Sequence, residues 1–457
     1  MPEKTFNFIK KIIPQPLFNL LWPTYHYSLA FLAAVFYGFP SKNLIVIGVT
    51  GTNGKSTVVE LIHSILEEAG CKTASVSSLR FKVGREEKQN RLKMTMPGRF
   101  ALQKFLRAAV TAGCRYVVLE VTSEGIKQFR NKFIRFNAAV LTNVTPEHIE
   151  SHGSFEKYLN AKLKLFKQVS RSRPNLFRSG SGRNGGVLIV NGDDSNAKKF
   201  LQFPAKEKFT YTSALITVQQ SGATERFPIT EKLITPEGIS FKLNSATFSS
   251  RLVGEFNFYN ILAAVSLALS QKIKPEEIQN ALLKISGVSG RMEFVQKKPF
   301  AVVVDYAHTP DSLKKIYAFL RESISKSQFP NSKLVCVLGA AGGGRDKWKR
   351  PEMGRIAAEF CDEIMLTNED PYDENPLTIF DEIEKGFSSN HISQITNHKK
   401  ILDRREAIRE ALQLAKPGDT VIITGKGAEP FIMGLNNTRI PWDDRAVAQD
   451  LLAALTR

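Results

Sequence analysis

The chain has 457 residues, of which 42% are hydrophobic and 23% charged. Those proportions exclude a disordered, fibrous or disulfide-framed class and leave a globular protein long enough for two or three domains. Sixty-three basic residues against 44 acidic ones give a net charge of +19, which favours anionic partners such as nucleotides and phosphorylated substrates.

Residues 1–42 read as a short apolar, aromatic-rich helical segment. The apolar run at 28–36 follows Lys10 and Lys11 but is too short to span a bilayer, and no small-residue cleavage site follows it. Export is not expected, and a cytoplasmic location is. Packing on the next domain accounts for the aromatic residues; a peripheral membrane contact is the sharper alternative.

Residues 44–49 form an apolar run that reads as a buried strand. It breaks into Thr50-Gly51-Thr52-Asn53-Gly54-Lys55-Ser56-Thr57, and residues 57–69 then follow helical spacing. A strand, a glycine turn and a helix start make an anion cradle. Backbone N–H groups and the helix dipole face phosphate, Lys55 reaches the terminal phosphates, and Ser56 offers a hydroxyl to Mg²⁺. Val49 stands where the general pattern has glycine, so the match is to the variant Gly51-x-x-Gly54-Lys55-Ser56. The chain is expected to bind a nucleoside triphosphate.

Strand-like runs at 116–121, 138–141 and 187–190 alternate with helical stretches, which implies a mostly parallel α/β sheet with helices on both faces. From 162 to 183 there are seven basic residues and no acidic one. Without interleaved aromatics this reads as an exposed loop, and nucleic acid is not an expected partner. Residues 205–253 carry short alternating pieces that suggest an antiparallel addition, and 257–269 is a helix. A boundary falls near 286–290. Beyond it, runs at 301–304, 334–338, 363–366 and 420–423 mark a second, Rossmann-like α/β unit. Cys71, Cys114, Cys336 and Cys361 show no CxxC spacing, so four free buried thiols in a reducing compartment are expected and no zinc site is.

Glu120 ends a strand, where an acid is well placed for Mg²⁺ at the rim of an open α/β sheet. The segment from Thr142-Asn143 to Glu147-His148-Ile149-Glu150-Ser151-His152-Gly153 also follows a strand directly, and a histidine among acids there suits a metal.

Together these segments resemble the Mur ligases. The cradle, Glu120-Val-Thr-Ser, Thr142-Asn143 with His148-x-Glu150-x-His152-Gly153, and Tyr158-x-x-Ala161-Lys162 match in order. So do Asn191-x-Asp193-Asp194, Gly254-x-Phe256-Asn257-x-Tyr259-Asn260, Gly290-Arg291-Met292-Glu293, Asp305-Tyr306-Ala307-His308-Thr309-Pro310, Gly425-Lys426-Gly427 and Asp443-Asp444-Arg445. The spacing is similar to the branch that adds the third residue of the peptidoglycan stem peptide, over residues 44 to 457.

The resemblance implies a P-loop ATPase domain at 43–289 and a C-terminal amino-acid-binding domain at 290–457. It implies an ATP- and Mg²⁺-dependent ligase that forms an acyl phosphate and then an amide. ATP would be held by Gly51, Thr52, Asn53, Gly54, Lys55, Ser56, Thr57, Asn143, Asn260 and Asp305. Ser56, Glu120 and His148 would serve the metals, with Lys162 joining them if carbamylated. Lys55, Lys162, His148 and Arg291 would carry catalysis. A UDP-muramyl dipeptide would meet Thr95, Thr122, Gln128 and Arg130, and the amino acid Arg350, Glu369, Asp370, Gly425 and Glu429.

This sequence departs from the branch at several points. About forty residues precede the first strand, too few for the separate domain that holds the uridine diphosphate end. Met96, Glu124 and Ala428 replace a usual threonine, histidine and histidine. Where enzymes selecting diaminopimelate carry Asp-Asn-Pro-Arg, this chain reads Glu369-Asp370-Pro371-Tyr372-Asp373-Glu374. Tyrosine lacks arginine's fork for a distal carboxylate, and four acids in six residues suit a cationic side chain such as that of L-lysine. The alternative is a ligase acting on a lipid-linked or otherwise altered wall precursor. Folate substrates fit less well given Thr122, Gln128 and Arg130, a decayed ligase would have lost Lys55 or Lys162, and no motif marks a nucleic-acid-stimulated ATPase.

Overall fold

The computed structural model describes residues 15–92, 94–172, 185–326, 328–329, 331–387 and 397–455, with side chains from Trp22 onward. Lys10, Lys11 and residues 173–184 of the basic loop lie outside the described residues.

Helix α1 (Gln15–Phe36) leads through a turn into β1 (Ile45–Thr50). The strands that follow are β2 (Thr73–Val76), β3 (Arg80–Val83), β4 (Glu86–Gln89), β5 (Tyr116–Glu120), β6 (Phe136–Leu141) and β7 (Val187–Asn191). Then come β8 (Glu207–Tyr211), β9 (Leu215–Gln220), β10 (Ala223–Thr235), β11 (Gly238–Leu243) and β12 (Ala246–Ser250). They form one 12-stranded sheet in the order β12-β11-β10-β9-β8-β7-β6-β1-β5-β2-β3-β4. The centre, β2-β5-β1-β6-β7-β8, is parallel. Strands β1, β5, β6 and β7 at its middle are almost wholly buried on both faces, as parallel strands covered by crossover helices must be. The 205–253 region is the antiparallel extension expected from its alternation.

Helix α2 (Lys55–Glu68) packs with α5 (Glu255–Ser270) on one face of this sheet, through Val58, Leu61, Ile62, Ile261 and Val265. Helices α3 (Arg99–Thr111) and α4 (Phe155–Ser170) cover the other through Leu106, Leu165 and Phe166. Because β1 lies between β5 and β6, their carboxyl ends open onto one crevice at the point where the strand order reverses, the usual ligand position in such sheets.

The second sheet has the order β13-β14-β18-β15-β16-β17. Its strands are β13 (Glu293–Gln296), β14 (Ala301–Asp305), β15 (Leu334–Leu338), β16 (Glu363–Leu366), β17 (Asn397–Lys400) and β18 (Thr420–Thr424). Helices α6 (Pro310–Ser325) and α7 (Lys349–Phe360) pack on one face of it.

The thiol expectation needs correction. Cys336 on β15 and Cys361, just past α7, form a disulfide with Cα atoms 6.1 Å apart, and only Cys71 and Cys114 are free. The β15–α7–β16 crossover returns the chain beside its own strand, a proximity that no sequence spacing displays. With that bridge, the cysteines no longer argue for a reducing compartment. No helix among the described residues is long and apolar enough to cross a membrane.

Candidate active site

The two sheets face each other across a cleft of about 1280 Å³. Its floor is the turn after β1. Gly51 and Gly54 have φ of 154° and 81°. A Cβ would meet Thr142 Oγ1 at 1.9 Å in the first and Asn260 Oδ1 at 2.3 Å in the second, so the turn closes this tightly only with glycine. The β6 exit clamps the turn from the side. Asn53 N donates to Asn143 Oδ1 (2.9 Å), and Thr142 Oγ1 and Asn143 Nδ2 donate to Asn53 O (2.6 and 3.1 Å).

Lys55 Nζ donates to Thr52 O at 2.8 Å and lies 4.0 Å from Glu120 Oε1. Burial pulls its pKa below the ordinary lysine value, against the pull of Glu120. Ser56 Oγ and Ser78 N both donate to Glu120 Oε2 at 2.9 Å. A hydroxyl and a carboxylate are hard oxygen donors of the kind Mg²⁺ takes. No group of three or more His, Cys, Asp or Glu among the described residues could hold a metal ion. Ser56 and Glu120 fit Mg²⁺ by donor type, since that ion usually takes one or two protein oxygens and draws its other ligands from phosphate and water.

Lys162 is 1% exposed, and its Nζ donates to Gly51 O at 2.6 Å over the Tyr158 ring. Burial first, and the Lys55 charge second, push its pKa well below the lysine range toward a neutral amine. Tyr158 OH shares a 2.9 Å hydrogen bond with Thr52 Oγ1, tying α4 to the turn. His148 adopts a left-handed backbone (φ 56°), and burial, helped by Arg345 and Lys162, holds its imidazole neutral with a pKa near 2.

The four residues expected to meet the acceptor also line the cleft. Arg130 donates to Gln128 Oε1 at 2.7 Å and to the Met96 carbonyl. Thr122 Oγ1 accepts from Gly125 N, capping the short helix after β5.

From the second sheet, Arg291 stacks over the Tyr306 ring at 4.3 Å and reaches Ser78 Oγ at 3.5 Å. Asp305 accepts from Met292 N and Ala307 N, and burial lifts its pKa to about 6. Asn53 Nδ2 donates across the cleft to Asp311 Oδ2 at 3.1 Å.

The expected amino-acid residues divide. Glu369, Asp370 and Glu429 line the cleft. Lys426 Nζ bridges Asp370 Oδ1 and Glu429 Oε2, both at 2.7 Å. Gly425 lies behind them, where a Cβ would come within 2.9 Å of Glu369 Oε2. Arg350 departs from expectation. Its side chain is fully buried, paired with Glu374 (3.0 Å) and Glu382 (2.6 Å), and does not line the cleft. Satisfying that buried charge leaves its guanidinium no free donor pair for a substrate. Asp373 accepts from Asn436 N, so much of the acidic loop is neutralised or hydrogen-bonded within the protein.

The cleft instead presents Arg345, exposed opposite Tyr372 and Glu429, which the sequence reading passed over. Its signal was legible: Gly342-Gly343-Gly344-Arg345-Asp346 follows directly on the β15 exit.

Family profiles match most of the chain: the Mur ligase middle domain at residues 49–268 and the "Mur ligase, glutamate ligase domain" at 290–427. A UDP-N-acetylmuramoyl-L-alanyl-D-glutamate–2,6-diaminopimelate ligase of Syntrophomonas wolfei is 39% identical over 440 residues, 95% of this chain and 83% of its own length. A UDP-N-acetylmuramyl-tripeptide synthetase of Roseiflexus is 35% identical over 97% of this chain and 85% of its own length. A solved UDP-N-acetylmuramoyl-L-alanyl-D-glutamate–2,6-diaminopimelate ligase superposes with a TM-score of 0.57 at 27% identity, covering 91% of this chain and 79% of that one. A Mycobacterium tuberculosis folylpolyglutamate synthase shares the fold at a TM-score of 0.65 and 15% identity, covering 87% of this chain and 92% of that one. On this evidence the chain belongs to the Mur ligase family of ATP-dependent ligases.

Proposed function

We propose that this ligase joins a diamino acid, L-lysine, to the D-glutamate end of UDP-N-acetylmuramoyl-L-alanyl-D-glutamate, in the building of peptidoglycan precursors. The observation that carries the reading is one cleft lined by the phosphate turn, the acceptor residues Thr95, Thr122, Gln128 and Arg130, and the Glu369–Asp370–Glu429 cluster.

In the first step an acceptor carboxylate oxygen attacks the γ-phosphorus of ATP, the bond to ADP breaks, and an acyl phosphate forms. Two anions meet there, so cationic groups must be concentrated at the point of attack. Lys55 and Arg291 reach it from opposite sides of the cleft. Mg²⁺, when bound, would further neutralise phosphate charge, with Ser56 and Glu120 as its protein donors and His148 serving it from the same cleft. Burial disfavours the ammonium form of Lys162 and so favours the neutral amine that carbon dioxide can carbamylate, and the product would be an anion able to face a metal. Asn143 and Asn260 brace the turn, and Asp305 would accept from ribose hydroxyls.

In the second step the free amine of the amino acid attacks the acyl carbon and phosphate leaves. Glu369, whose Oε2 is buried without a hydrogen-bond partner, offers a carboxylate to the cationic end of the amino acid, and Arg345 offers a guanidinium to a carboxylate. Tyr372 supplies no second guanidinium, which favours lysine over diaminopimelate. The names of the relatives favour the opposite, so the choice is one for measurement.

The test is Mg²⁺-dependent phosphate release with ATP, the UDP-muramyl dipeptide and a panel of amino acids, with product masses determined. A lysine-dependent tripeptide supports the reading in full. Preference for diaminopimelate overturns the lysine assignment alone. Absence of turnover with every amino acid overturns the acceptor and points to a lipid-linked or otherwise altered precursor.

A further inference from the structure

Helix α1 faces the wrong way for a helix that only packs on a core. From Trp22 onward, where its side chains are described, the buried positions are small or polar: His26, Ala30, Ala33 and Ala34. Most of its described large apolar side chains point outward, with Tyr25, Tyr27, Phe31, Leu32, Val35 and Phe36 between 42% and 74% exposed, while Trp22 and Leu29 are half-buried. An ordinary surface helix puts these two sets the other way round. The patch extends onto its neighbours through ring contacts of Phe31 with Phe39 and Phe133, and of Phe36 with Phe100. A contiguous apolar surface of this kind marks an interaction site.

The surrounding charge says what kind. Helix α1 carries no charged residue. The segments it rests on are residues 37–43, α3, and residues 128–135. They contribute Lys42, Arg99, Lys104, Arg107, Arg130, Lys132 and Arg135, and no aspartate or glutamate. Lys42, Lys104 and Lys132 are exposed; Lys104 lies one turn beyond Phe100, and Lys42 lies over the Phe39 ring. A second copy docking through the same face would bring two such basic collars together, which disfavours a symmetric pair. Spanning is excluded for α1, since no described helix is long and apolar enough. Aromatic and aliphatic side chains beside lysines whose stems lie along apolar surface are the composition of an in-plane contact with an anionic bilayer.

We propose that the outward face of α1 and its basic collar dock this enzyme on an anionic lipid surface. The contact adjoins the acceptor end of the cleft. Arg99 Nη2 reaches both His26 Nδ1 of α1 and the carbonyl of Gln128, a cleft residue. The inference does not depend on which amino acid or acceptor is used.

The test is co-sedimentation of the full chain with phosphatidylcholine vesicles, with and without about 30 mol% phosphatidylglycerol, at low and high salt. Binding is expected only to the anionic vesicles and should weaken with salt. Leu32→Ser with Phe36→Ser, and separately Lys104→Glu with Lys132→Glu, should each reduce it about tenfold or more while leaving ATP turnover in solution unchanged. The inference is overturned if the chain stays in the supernatant, binds neutral vesicles equally well, or binds undiminished as either double variant. Concentration-dependent dimerisation abolished by the Leu32 and Phe36 changes, with no vesicle binding, would assign the face to a second copy instead.

Discussion

Lys349 Nζ lies 3.0 Å from Glu147 Oε1, with both side chains almost wholly buried although one belongs to each half of the molecule. Lys349 also donates to the His308 carbonyl, and Asp346 accepts from Ile149 N and Glu150 N nearby. This is the polar seam that holds the second sheet over the phosphate turn. Removing one partner strands a buried charge, at a cost of about 3–5 kcal/mol. Lys349→Ala is therefore expected to open the cleft, seen as a larger radius of gyration by solution scattering, and to lower turnover. An unchanged radius with full activity would remove the pair from any role in closure.

Lys55→Ala and Lys162→Ala should each reduce phosphate release about a hundredfold or more, since each removes a group at the point where charge concentrates. Only Lys162 is expected to link activity to dissolved carbon dioxide. Wild-type turnover should rise on adding bicarbonate to degassed buffer, and labelled bicarbonate should give a carbamate signal that Lys162→Ala lacks. A bicarbonate response surviving in that variant would place the effect elsewhere.

Tyr372 occupies the rim opposite Arg345, with Gly343 leaving room for its ring. Tyr372→Arg would add a second guanidinium there. The ratio of kcat/KM for diaminopimelate to that for lysine should rise about tenfold. An unchanged ratio would show that the rim does not read the distal end of the amino acid.

His63 is one of the buried histidines that make the fold's stability depend on pH. It is 1% exposed, neither ring nitrogen has a hydrogen-bond partner, and burial lowers its pKa from 6.5 to about 3. Between those values the unfolded chain binds a proton that the folded chain refuses. The stability is complete above 6.5 and falls as pH drops toward 3, by about 1.4 kcal/mol per pH unit for this group. His63→Leu should flatten that part of the profile and stabilise the fold at neutral pH by about 1 kcal/mol, because it removes an unpaired buried polar group. Denaturant unfolding across pH 7.5 to 5 reads both effects, and parallel profiles would contradict the argument.

Much of the architecture was legible because it is local. The first strand, the glycine turn and the helix after it are written in consecutive residues, and the structure places β1 and α2 within two residues of that reading. The edge strand β4 is polar throughout and exposed, so it carries no apolar signal, and the alternation of β3, Arg80-Phe81-Lys82-Val83, is too short at four residues to stand out. Arg350 was misplaced for a different reason. A motif match locates Arg350 on the first turn of α7 but looks the same whether its guanidinium faces ligand or pairs inward with Glu374 and Glu382.

The sequence by itself determined the central parallel strands and their helices, the phosphate turn and the family, because periodicity, glycine conformation and motif spacing act over a few residues at a time. Tertiary structure alone decided which charges remain available. It sequestered Asp370 with Lys426, exposed Arg345 to the cleft, joined Cys336 to Cys361, and turned the large side chains of α1 outward. Those outcomes depend on which elements come to lie side by side, and burial then fixes the cost of leaving any charge or apolar surface without a partner.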